Sequence, residues 1–181
     1  MRRSYYALNK DLPIQENEVK ELIEDVTALV PDAFDMKSQR VIVAMGEKQD
    51  QLWDAIYDVF EGKVDRAKID SFKAAAGTIL YFHDETVVEN MHNLYPAYAD
   101  NFPVWANHAG GMLQISLWAA LREAGIGASI QHYKPVIDEV VAKMFDVPSS
   151  WKLIAQMPFG GIVAEPEPKA EEDISKRVFF Y

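Results

Sequence analysis

The stretch from about Val104 to Ala124 does most to limit what this chain can fold into. Met112, Leu113, Ile115, Leu117, Trp118 and Leu121 cannot share one narrow stripe of a helix. A helix that is apolar on every side has to sit centrally and be covered. Gly110 and Gly111 permit close packing against a partner backbone, and Gly125 and Gly127 end the helix and open a short strand. The rest of the chain must therefore wrap this helix, and a 49% hydrophobic content supplies the material.

The flanking segments alternate between helix and strand. Glu18 to Val30 has apolar residues at helical spacing, and Pro31 stops it. Arg40 to Met45 and Gly77 to Phe82 read as buried strands, and Trp151 to Met157 as a third. Gln49 to Phe60 is amphipathic, with Leu52, Trp53, Ile56, Val59 and Phe60 on one face. Ile69 to Ala76, Thr86 to Leu94 and Val136 to Phe145 read as shorter helices. Gly160 to Asp173 is linker-like, with Pro166 and Pro168 among several acids. Either a disordered connector or an arm that leaves the body and redocks would have this composition. The last residues, Arg177 to Tyr181, are short, apolar and extended in character. The pattern predicts an α+β fold with helices on both faces of one mixed sheet, formed by a single domain over residues 1–181.

Composition removes several functions. With no cysteine, disulfides, thiolate catalysis and cysteine-ligated metals are excluded. A net charge of −10 disfavours nucleic acid. No apolar run approaches the roughly 20 residues that span a membrane, and the start lacks the apolar core of a signal peptide. The expectation is a cytoplasmic protein without nucleic-acid or membrane partners. His83, His92 and His108 show no metal-ligand spacing, so no metal is expected. No Gly-x-Gly-x-x-Gly follows a strand, which argues against a dinucleotide fold of that type.

Three separated segments carry the remaining information. They are Arg2-Arg3-Ser4-Tyr5-Tyr6-Ala7-Leu8, the run Gly125 to Tyr133, and Trp151 to Gly160. In this order the chain resembles the FMN-dependent nitroreductase superfamily, in its short branch of the fatty-acid-repression-mutant type. The resemblance spans nearly the whole chain. It implies a homodimer with FMN in clefts between the subunits. It also implies a ping-pong reaction in which NADH or NADPH gives a hydride to flavin N5. A small-molecule nitroaromatic, quinone or nitroso acceptor then collects it. No catalytic side chain is expected, because the cofactor carries the chemistry. The alternative is a flavin-binding sensor or regulator of lipid metabolism without significant turnover.

The resemblance also assigns residues. Arg2, Arg3 and Ser4 match an Arg-x-Ser element that holds the FMN phosphate and ribityl chain, for which guanidinium forks and a hydroxyl are suited. Tyr6 replaces a lysine common in the family. In the loop 31–40, Asp35 stands where asparagine is common and Lys37 where glutamine is common. For these two, a flavin contact and a solvated loop are equally open readings. Lys73 matches a lysine near flavin N1 and O2, where a fixed cation would raise the reduction potential. Gln131 and His132 lie in a turn whose backbone N–H groups face flavin N5 and O4. Lys169, and more weakly Arg177, lie in an arm expected to return to the phosphate. Phe102 and Trp105, with Tyr98, are candidates for a flat substrate pocket, with core packing as the competing reading.

Overall fold

The computed structural model describes residues 2–181. Its elements are β1 (Leu8–Asn9), α1 (Glu16–Leu29), β2 (Gln39–Met45), α2 (Glu47–Val59), α3 (Arg66–Lys73), β3 (Gly77–Asp84), α4 (Glu85–Leu94), α5 (Phe102–Glu123), β4 (Gly127–Ala128), α6 (Asp138–Phe145) and β5 (Trp151–Ile162). Local chemistry sets the starts. Glu18 reaches back to accept a hydrogen bond from the Gln15 N–H at 2.8 Å, so α1 begins ahead of its apolar pattern. Asp65 accepts from the Ala67 N–H and starts α3 earlier than Ile69. Asp84 closes β3 and caps α4 by accepting from the Thr86 N–H.

The sheet runs β1-β5-β3-β2, with β4 also beside β5. Every named ladder is antiparallel, and the parallel contribution is the isolated bridge between Ser4 and Ala128. Residues such as Ile79, Tyr81 and Met157 face α1 and α5 on one side. Leu80, Phe82 and Leu153 face α2, α3 and α6 on the other. Helices therefore cover both faces, as the alternation predicts. The predicted central helix is α5, and Leu113, Leu117 and Leu121 are fully sunk against the sheet.

β5 is longer than its predicted Trp151–Met157 span. It crosses Pro158, which lacks an N–H but whose carbonyl accepts from Ser129. It then includes Gly160 and Gly161, which the sequence placed in a linker. A Cβ on Gly160 would strike the Asn9 carbonyl, and one on Gly161 the Asp11 carbonyl. The glycines thus let the chain start pack directly on β5. After Ile162 the chain bends at Val163 and Ala164 and runs without regular structure to a short 3-10 turn at Ile174–Lys176.

Candidate functional site

The first group of candidate residues forms where the two ends of the chain meet. β1 and β5 pair Leu8 with Ile162 and Asn9 with Gly161. That register continues beyond the strands. Val163 N–H donates to the Ala7 carbonyl at 2.9 Å. Tyr5 Oη donates to Glu165 at 3.0 Å. Arg3 Nη2 donates to the Glu167 carbonyl at 2.6 Å. Each step of two residues on the arm matches a step of two back toward the chain start. Continued once more, the register sets Pro168 opposite Arg2, with Lys169 immediately after it. The arm therefore returns as far as Glu167 to the basic start, and the exposed Lys169 follows two residues later.

Each side chain at this end keeps donors free. Arg2 lays its guanidinium 4.1 Å from the centre of the Trp118 ring. A guanidinium stacked on an aromatic face can keep its N–H edge for a ligand. Arg3 Nε is buried and has no partner. Ser4 is held by its backbone beside Ala128, and the Tyr5 N–H donates to the Ala128 carbonyl at 3.0 Å. Arg177 pairs with Glu172 at 2.7 Å, with both side chains exposed.

Lys73 ends α3, where a cation suits the helix C-terminus. Its side chain is 29% exposed, and Nζ lies 2.7 Å from Asp54. Arg66 holds the same carboxylate at 3.0 Å. The Lys73 hydrogen bond is the main reason the Asp54 carboxyl lies below the usual carboxylate range, with Arg66 assisting. Just beyond Lys73, Ala75 packs with Tyr5 and Leu8, so this helix end adjoins the chain start.

Gln131 and His132 follow β4. Gln131 exchanges both backbone hydrogen bonds with Gln156, at 2.7 and 3.0 Å. His132 points its exposed side chain outward. The next ring, Tyr133, inserts among Trp53, Phe60 and Phe72, and Phe72 directly precedes Lys73. The turn, the end of α3 and the chain start thus belong to one region.

The remaining candidates lie elsewhere. Asp35 and Lys37 pair with each other at 3.2 Å and are exposed. Phe34, Asp35 and Lys37 all have φ between 51° and 57°, and Asp32 holds the loop by accepting from Ala33 and Ser38. Together with Lys20, Gln39, Arg40 and Trp151, Asp35 and Lys37 line a cavity of about 700 Å³. Beside this loop, Phe34 stacks on Trp105 at 5.8 Å and meets Tyr95 at 4.8 Å. Phe102 lies beneath them at 0% exposure, so it supports the aromatic cluster and presents no face to a ligand. Trp105 is partly exposed and keeps the pocket-lining reading.

The two groups are at opposite ends of α5. Trp105 adjoins the loop and Trp118 adjoins Arg2, and 13 residues of helix separate them by about 20 Å. Sequence reasoning missed Trp118 as the seat of Arg2, Asp54 as the partner of Lys73, and Gln156 beneath the turn. None of the three stands in a motif; each becomes visible only through a contact between distant segments.

Comparison with known proteins is consistent with this geometry. The model of the nitroreductase family matches residues 1–161. Nitroreductase FRM2 of Saccharomyces cerevisiae is 31% identical over 171 residues, covering 93% of this chain and 88% of the yeast protein. Nitroreductase CinD of Lactococcus lactis, solved with chloramphenicol, is 41% identical with a TM-score of 0.94, covering 99% of this chain and 95% of CinD. A protein of Exiguobacterium sibiricum solved in complex with FMN shares the fold alone, at 14% identity and a TM-score of 0.76, over 99% of this chain and 93% of that one.

Proposed function

We infer the function from one premise: this chain belongs to the nitroreductase family. It acts as an FMN-dependent oxidoreductase that takes reducing equivalents from NADH or NADPH and delivers them to small nitroaromatic, quinone or nitroso acceptors. The observation that carries this reading is the return of the arm to Arg3 at Glu167, two residues before Lys169, in a chain of net charge −10, with Arg3 Nε buried and unpartnered. A protein that is otherwise acidic gathers cations from both of its ends, and a phosphate is the ligand that such a cluster suits. The CinD structures with chloramphenicol and with 4-nitrophenol support the acceptor class.

The residues present fit the cofactor. Arg2, Arg3 and Lys169 would hold the phosphate, and Ser4 the ribityl chain. Lys73 would set a cation beside the pyrimidine ring, and the His132 backbone would offer its N–H to the N5–O4 edge, the Gln131 N–H being taken by Gln156. When bound, FMN supplies the hydride relay between nicotinamide and acceptor at N5. The chain contributes binding, orientation and fixed charge. Arg2 is pre-set by Trp118, so it spends little rotamer freedom on meeting a phosphate.

Two features of the single chain support a homodimer. Asp35, Lys37 and the aromatic cluster lie about 20 Å along α5 from the cationic end, so one flavin meets both groups only if they come from different copies. The outer face of α5 leaves Val104, Met112 and Ile115 between 40% and 50% exposed, and the tail leaves Phe180 at 93%. A second copy would cover both. Steady-state turnover with NAD(P)H and 4-nitrophenol-type acceptors tests the reading. Parallel double-reciprocal lines are expected, and absence of acceptor-dependent NAD(P)H oxidation in FMN-supplemented protein would overturn it.

A further inference from the structure

Gln156 sits in the middle of β5 with its side chain at 0% exposure, on the sheet face shared with Leu80. Its backbone exchanges both hydrogen bonds with Gln131, and its Oε1 accepts from the Tyr133 N–H at 3.0 Å. One buried residue therefore holds the chain on both sides of His132. Its Nε2 is buried with no partner. An unpaired buried donor costs stability, and an apolar side chain of similar volume would avoid that cost. The core alone gives no reason for an amide here, whereas the bond from Tyr133 does.

We propose that Gln156 is a positioning residue: by accepting from the Gln131 N–H with its backbone and from the Tyr133 N–H with its side chain, it fixes the intervening His132 N–H at the reactive edge of the flavin. The inference rests on the function proposed above. The Tyr133 ring is anchored independently among Trp53, Phe60 and Phe72, at centroid distances of 6.1, 5.4 and 6.4 Å. Loss of the amide bond therefore leaves the ring seated and the fold intact, while the backbone before it loses its stop. A shift well below one ångström at such a position is enough to disturb hydride transfer geometry.

The test compares Gln156→Leu, Gln156→Met and Gln156→Glu with the unmodified protein. Gln156→Glu keeps the shape and a carbonyl oxygen for Tyr133. In flavin-free protein, amide exchange at Tyr133 should quicken about tenfold in the Leu and Met variants, the loss expected for one hydrogen bond. With FMN bound, single-turnover reduction by NAD(P)H should slow roughly ten- to a hundredfold, the flavin midpoint potential should move, and FMN affinity should stay within a few-fold. Gln156→Glu should recover most of each change. Unaltered exchange, reduction rate and potential in a folded Leu or Met variant would overturn the inference. So would failure of both apolar variants to fold, which would make Gln156 a core residue only. If the unmodified protein neither binds FMN nor oxidises NAD(P)H, the functional reading fails instead, and the exchange result separates the two cases.

Discussion

Replacing Arg2 with alanine should weaken FMN binding by an amount the local geometry bounds. A hydrogen bond to a charged group contributes about 1.5–3 kcal/mol, or on the order of 10- to 100-fold in Kd. Arg2 sits 4.1 Å from the Trp118 ring centre, and a guanidinium stacked on an aromatic face can keep its N–H edge for such a bond. No stacking energy is therefore lost on binding, and the full effect should appear. Trp118→Leu removes the platform and leaves the Arg2 guanidinium in the chain. A partly exposed cation–π contact is worth about 0.5–1 kcal/mol, so a loss of roughly two- to fivefold is expected. Trp118 Nε1 also donates to the Ala128 carbonyl at 3.0 Å, so this variant should loosen β4 as well. Both affinities are read by quenching of flavin fluorescence at fixed ionic strength. An Arg2→Ala protein within twofold of the original, or a Trp118→Leu variant that loses more than Arg2→Ala, would refute the reasoning.

The remaining expectations concern charge, assembly, packing and pH. Lys73→Met should lower the flavin midpoint potential, and Asp54→Asn should raise it by removing the carboxylate 2.7 Å from the ammonium; equal or unaltered potentials in a spectroelectrochemical titration would contradict both. Ile115→Glu, or truncation after Asp173, should convert a sedimenting dimer to monomer and release bound FMN; a truncated protein that stays dimeric and yellow would exclude a role for the arm. Phe102→Ala should cost about 3–5 kcal/mol in denaturant unfolding, because it empties the floor of the aromatic cluster. Burial holds His83 below the ordinary imidazole value of 6.5, with Glu85 opposing. The unfolded chain therefore takes up the proton first, and stability falls as pH drops below 6.5 toward the folded value. His83→Gln should flatten the thermal midpoint over that window, and an unchanged slope would place the acid sensitivity elsewhere.

The sequence made α5 legible as a long apolar helix packed on the sheet, but within one chain only one face is covered, and Val104, Met112 and Ile115 stay exposed. The sequence also made the order of the three motif segments legible, and with them the family. What it concealed was pairing at a distance. Lys169 reads as a lone cation among acids, and only the contacts of Val163, Glu165 and Glu167 with the chain start show that its arm returns there. Gly160 and Gly161 have the composition of a linker yet form a strand, because the missing side chains make room for Asn9 and Asp11. Phe102 carries the same aromatic signal as Trp105, but burial separates their roles. Gln156 gives no sequence signal, since a glutamine in an apolar strand acquires meaning only from the turn that crosses it.

The account depends most on a flavin seated by the two chain ends, and an FMN titration of the purified protein tests this directly. The account predicts saturable quenching of flavin fluorescence with one FMN per chain, a yellow protein after gel filtration, and bleaching by NAD(P)H that a nitroaromatic reverses. A colourless protein that leaves flavin fluorescence unquenched would contradict it.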